Sequence, residues 1–249
     1  GIALTLNLTA DVELDLNGIQ LGALTVNGAG RVLCMDSVTD DYTVQNETYG
    51  KVPAGNGIAA VDGYMMIEEE GGMVSFHKVQ NKINSINLRP SNVGLYYGSQ
   101  FAGDEVVKEN VVEYGIALRI GSAPTESYIT GDTLNKFHVA FAKDAWATGT
   151  DANSSYGVLL HDIMTPGDSL NAMYATANVY GATYIKTADG RMHLSEAKCF
   201  TLKQVVVAVD GMYNGLSATQ KYQIKVMYRA YESVMSSWNI ENIKAAVAK

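Results

Sequence analysis

Two cysteines, Cys34 and Cys199, are all that the 249 residues contain. Two thiols set no disulfide framework, and the plain expectation is a pair of small buried side chains in a fold held by its hydrophobic core. Proline is scarce, at 4, while hydrophobic residues make up 47%, which together exclude a disordered linker. Positive charge is short as well. Lys and Arg number 18 against 26 Asp and Glu, a net charge of -8. A nucleic-acid binder carries a basic face, and this balance argues against one. No apolar run reaches the roughly 18 residues of a membrane-spanning helix, so none is expected. The chain opens at Gly1-Ile2-Ala3, with no basic segment followed by an apolar one. No targeting signal is legible there, and the simplest expectation is a start inside a longer protein.

What is plentiful is glycine, at 24, and tyrosine, at 15, which outnumbers Phe and Trp together. That balance suits a turn-rich β protein. Leu4, Leu6 and Leu8 alternate with polar residues, as do Val12, Leu14 and Leu16. A period of two puts each set on one face of a strand. Asn17-Gly18 and Asn27-Gly28 are tight-turn dipeptides, and Ala23–Val26 and Arg31–Met35 read as further strands. Such short strands look like rungs of a β-solenoid or a small meander. One or two rungs cannot bury both ends of their own core. They must cap a longer solenoid or pack on the rest of the chain. Asp36, Asp40 and Asp41 place three carboxylates within six residues, a possible oxygen cage for Ca²⁺. The competing reading is an Asp-rich turn with local hydrogen bonds. Residues 45 to 63 read as loops, Tyr64–Ile67 as a strand, and Gly71-Gly72 as a module boundary.

From residue 73 the alternation becomes regular. Val112, Tyr114, Ile116, Leu118 and Ile120 predict a half-buried antiparallel strand. Phe137–Phe141, Val93–Ser99 and Ser155–Leu160 predict others, and Val74-to-Phe76 and Ile86-to-Leu88 two short ones. Ala188-Asp189-Gly190 sits between two alternating runs, the mark of a hairpin. Some seven strands fit an Ig-like β-sandwich over 73–200. Asn171–Ala177 is open between helix and edge strand. Beyond it, Thr201-x-x-Gln204 and Ser217-x-x-Gln220 are capping boxes. Ile224, Met227, Tyr228, Tyr231, Val234, Met235 and Trp238 form one helical stripe, and a last helix from Ile240 to Val247 should be capped by Asn239. The helices over 201–249 are expected to pair as a helical hairpin on the sandwich.

Chemistry is thin. The four histidines, His77, His138, His161 and His193, lie on separate elements with no metal spacing. No nucleophile elbow, phosphate loop or dinucleotide fingerprint is present. Tyr96, Tyr97, Trp146, Tyr156 and Tyr174 lie in or near loops and strand ends, where rings stack on sugar faces or anchor protein contacts. Ordinary core tyrosines are the competing explanation for each.

Several phrases occur together in order: Leu14–Gly18, Met35–Tyr42, Ser75-Phe76-His77, Phe101–Glu105, Val112–Gly115 and Val179–Thr187 followed by Asp189-Gly190. With them the chain resembles the β-rich modules of large secreted or cell-surface proteins of gut clostridia and related Firmicutes. The resemblance implies an extracellular location and a multidomain parent. Its phrases are structural, and it brings no active-site residues.

The sequence thus predicts a mainly β protein in three parts: a rung or meander module over 1–72, an Ig-like β-sandwich over 73–200 and a helical hairpin over 201–249. The expected function is a non-catalytic extracellular module for adhesion, glycan contact or spacing. Its partners would be a glycan, a surface protein or other domains of the parent chain, with no cofactor apart from a possible Ca²⁺. Two rivals are a carbohydrate-active enzyme fragment (a polysaccharide lyase or glycoside hydrolase) and a purely structural assembly domain.

Overall fold

The structure is a computed structural model that describes residues 1–42, 49–131, 137–141, 155–160, 163–164 and 171–248. Among the described residues it is mostly β, with several sheets and no barrel. The first strands are β1 (Ile2–Leu8), β2 (Val12–Asp15), β3 (Leu21–Gly28), β4 (Val32–Met35), β5 (Lys51–Pro53), β6 (Ile58–Ala60) and β7 (Tyr64–Glu69). Their pairing is parallel: β1 with β3, β2 with β4, and β4 with β6. A meander of consecutive antiparallel strands has no such ladder. Leu4 lies beside Leu24 and Leu14 beside Cys34, and Asn7 bonds Asn27 across the same step of 20 residues. Gly28 turns the chain at φ 96°, where an added Cβ would stand 2.1 Å from the Leu8 carbonyl oxygen. Only glycine fits there. Leu16, Leu21, Val32, Cys34, Val52, Val74 and Phe76 form the core of this region. Within the stretch expected to be loops, β5 and β6 are strands. Each is three residues long, too short for alternation to reveal.

The middle region holds β8 (Met73–Arg89), β9 (Gly94–Gly103), β10 (Val111–Ile120), β11 (Phe137–Phe141), β12 (Ser155–Leu160), β13 (Val179–Thr187), β14 (Met192–Leu194) and β15 (Lys198–Phe200). Short helices α1 (Glu105–Asn110), α2 (Glu126–Thr130) and α3 (Asn171–Thr176) interrupt them. The two short strands expected around Val74 and Leu88 are one 17-residue strand, β8. Its first half pairs with β5 and β7, its second half with β9. Strands on the two sides of Gly72 therefore pair in one sheet. One sheet reads β12-β9-β8-β5 with β7 also on β8, and another reads β11-β10-β13-β14 with β15 also on β13. The two pack together. The Tyr97 hydroxyl of β9 donates to the Val179 carbonyl at 3.0 Å, and Phe101 meets Tyr114 edge-on at 4.9 Å. Gly181 leaves room for the Tyr97 ring, which an added Cβ would meet at 2.5 Å. Strand β10 is buried on both faces at its centre, because Ala117 lies under Ile129 of α2 beside Tyr184.

The last helices are α4 (Leu202–Gly211), α5 (Ala218–Ala230), α6 (Glu232–Met235) and α7 (Glu241–Val247). Both capping boxes form, Thr201 with Gln204 and Ser217 with Gln220. The apolar stripe buries Ile224, Met227, Tyr228, Tyr231, Met235 and Trp238, though the helix breaks at Tyr231. Its hydroxyl donates to the Met164 carbonyl at 2.7 Å. In place of a simple hairpin, α7 packs on both α4 and α5. Asn239 does not cap α7. Buried Asp210 of α4 does, accepting from the backbone N–H of Ile243 at 2.8 Å and from the Asn242 amide. A cap supplied from another helix leaves no trace in local sequence.

Candidate functional site

The densest polar constellation is buried where the first strands meet the middle region. Alternation along β8 puts Ser75 and His77 on one face. Asp104 caps α1, accepting the Val107 N–H through Oδ1 at 2.9 Å. Its Oδ2 faces His77 Nδ1 at 2.6 Å, and His77 Nε2 lies 3.0 Å from Ser75 Oγ. Serine, imidazole and carboxylate thus line up at the spacing of an activated nucleophile. The rest of the chain of contacts reverses that chemistry. Ser75 Oγ donates its proton to Glu69 Oε1 at 2.8 Å, and Glu69 Oε2 lies 3.0 Å from Lys51 Nζ. With its proton given to Glu69, the hydroxyl oxygen has to accept from Nε2. A general base at Nε2 would accept there instead. Ser75, His77 and Asp104 have no exposed surface. The Tyr49 ring covers the imidazole edge-on at 4.5 Å. Burial works to raise the Glu69 carboxyl, but the hydrogen bonds from Ser75 and Lys51 outweigh it and hold it below the usual glutamate value. The arrangement is a satisfied buried network of the kind that fixes how two regions of a chain join. The sequence carried one signal for it, the Ser75-x-His77 spacing on a strand. Asp104 and Glu69 join only through the fold.

A cleft of about 920 Å³ opens between β6 and β7 on one side and β14 and β15 on the other. It does not reach Ser75 or His77. Ile58, Met66 and Met192 give it apolar wall, and Asn81 and His193 lie at the β8–β14 side. The Asn81 side-chain amide donates to the His193 carbonyl at 2.9 Å. Asn81 Oδ1 and His193 Nε2 are buried without a hydrogen-bond partner among the described residues. Burial, with Arg191 adding, holds the His193 imidazole below its usual value despite the nearby Asp189. Four exposed charged side chains stand at the rim: Lys82, Lys198, Asp62 and Glu196. Arg191 lines the cleft too, engaged by Glu68 at 3.1 Å and Asp189 at 3.1 Å.

The residues singled out by sequence are not gathered here. Tyr97 is wholly buried and offers no ring face to a ligand. Burial also pushes its phenol upward. Tyr174 of α3 is half-buried against the main core. Tyr96 is half-buried, with the Arg89 guanidinium 4.4 Å over its ring. Tyr156 lies on β12 opposite Ser99. Trp146 and His161 lie outside the described residues.

Asp36 is buried, and its oxygens accept from the backbone N–H of Gly18 at 2.9 Å, of Val38 at 3.2 Å and of Gly50. Asp40 accepts from the Tyr64 hydroxyl, and Asp41 is exposed. Among the described residues, no three His, Cys, Asp or Glu side chains group as metal ligands. Asp36 therefore acts as a turn-locking acceptor. Cys34 is buried and Cys199 half-buried, both free.

No helix among the described residues is long and apolar enough to cross a membrane. No family model matches this chain, and neither a curated protein nor a solved structure is found to be similar to it.

Proposed function

We propose that the chain is a non-catalytic scaffold module of a larger bacterial surface or secreted protein, joining a stack of parallel β-rungs to an Ig-like sandwich. One observation carries this reading: among the described residues, the outer edge of the first parallel strands is uncovered. Among the described residues, strands β1 and β2 each pair on one side only. Leu4, Leu6, Leu8 and Leu14 are only half-buried there, and Ile2 is 58% exposed. An open parallel edge over an open apolar core is the surface that a further rung covers. The occupant we commit to is one more rung from the same polypeptide. Strand direction and the 20-residue step bring a preceding rung onto the β1 edge.

Strand order supports the sandwich. The first, second and fifth strands of the middle region, β8, β9 and β12, share a sheet, while β10, β11, β13 and β14 share the other. The extracellular setting rests on the resemblance of the sequence phrases.

Against a lyase or hydrolase stands the position of the convergent groups. Lys51, Glu69, His77 and Asp104 do converge, but His77 and Asp104 have no exposed surface, Lys51 and Glu69 are largely covered, and none of the four lines the cleft. The scaffold reading is tested with the parent polypeptide extended ahead of Gly1. Amide exchange across β1 and β2 should slow, and Tm should rise. Preceding residues that lack short period-two rungs, or that leave β1 exchange unchanged, overturn the reading.

A further inference from the structure

We propose that the cleft between β6–β7 and β14–β15 binds a neutral oligosaccharide, a role separate from the scaffold reading above. Three features of the cleft converge on that ligand class. First, its charge is balanced. Lys82 and Lys198 oppose Asp62 and Glu196 at the rim, and Arg191 is already neutralised by Glu68 and Asp189. A strongly anionic or cationic ligand would meet as much repulsion as attraction. Hydroxyl groups donate and accept at once, so a polyol finds a complement for both kinds of rim group.

Second, the cleft pairs polar groups with apolar wall. Ile58, Met66 and Met192, all half-buried, provide surface for the C–H faces of a pyranose ring. Third, Asn81 Oδ1 and His193 Nε2 are buried without a partner in two of the residues that line it. Unsatisfied buried polar atoms are uncommon and destabilise the free protein. Both atoms lie just beneath the cleft surface, so a ligand hydroxyl supplies the missing partner once the lining side chains above them shift aside. The volume of about 920 Å³ accommodates more than one sugar ring.

The experiment is a calorimetric titration of the intact chain with a panel of neutral gluco-, galacto-, manno- and xylo-oligosaccharides, beside uronic-acid oligomers of similar length. At least one neutral series should bind, and backbone amide shifts should map to Ala59, Ala60 and Met192. The rim variants Lys82→Ala and Asp62→Ala remove exposed side chains and leave the fold intact. Each should weaken binding about tenfold, the effect of losing one good hydrogen bond to a ligand. Lys221→Ala, far along the chain on α5, should bind as the parent does. Absence of binding across the neutral panel overturns the proposal. So does binding confined to uronic-acid oligomers, or neutral binding that both rim variants retain in full.

Discussion

At Ser75 a single hydroxyl proton has a carboxylate on one side and an imidazole on the other, and it goes to Glu69. Direction, more than distance, separates this network from a nucleophilic one. A fluorophosphonate serine probe should therefore leave Ser75 unlabelled in the native protein, as mass spectrometry would read out. Labelling at Ser75 would restore the hydrolase reading. Asp36 is the second residue on which local structure turns. Asp36→Ala strips the Gly18, Val38 and Gly50 amides of their acceptor in the interior. Chemical denaturation should show a loss of about 3 kcal/mol. Cys34, fully buried, has its thiol pushed up to about 12 by burial. Thiol reagents at pH 8 should modify Cys199 ahead of it.

Among the elements, β8 is the joint of the molecule. Seventeen residues long, it is shared by the ladders of β5 and β7 and of β9. Helices α4 and α5 depend on their first turns. Thr201→Ala and Ser217→Ala each break a capping box and should cost about 1 kcal/mol in equilibrium unfolding. At the contact between the sheets, Gly181→Ala drives a methyl into the Tyr97 ring and toward Leu118. A loss of about 1–3 kcal/mol is expected from overpacking, read by the same measurement. The capping boxes were legible because both partners lie within one turn. The Asp210 cap of α7 was not, because its donor and acceptor are separated by 33 residues.

For the whole molecule, pH dependence follows from groups whose folded state prefers one protonation form. His193 lies below its usual 6.5 when folded, so the unfolded chain binds that proton first as pH falls. Its contribution is complete above about 6.5 and declines below. Glu69, Asp15 and Asp189 are also held low, since their hydrogen bonds outweigh burial. Their contribution is lost as pH drops further, below the usual glutamate and aspartate values. At the other end, burial raises Tyr64, Tyr97 and Tyr184, so stability falls as pH climbs past 10. Calorimetric Tm should therefore peak between about pH 7 and 10 and fall in two steps on the acid side. A Tm that rises from pH 6.5 to pH 5 would contradict the burial of His193.

The sequence by itself determined the β-rich class, most of the strands, the hairpin at Asp189-Gly190 and the helix starts at Thr201 and Ser217. These features rest on contacts between residues close in the chain, which alternation and capping patterns record. Only the tertiary structure decided the parallel pairing of the first strands, the continuity of β8, the network that links buried Ser75, His77 and Asp104 to Glu69, and the cleft beside His193. Apart from the continuity of β8, each brings together residues of separate elements, and such contacts depend on which surfaces the core brings together.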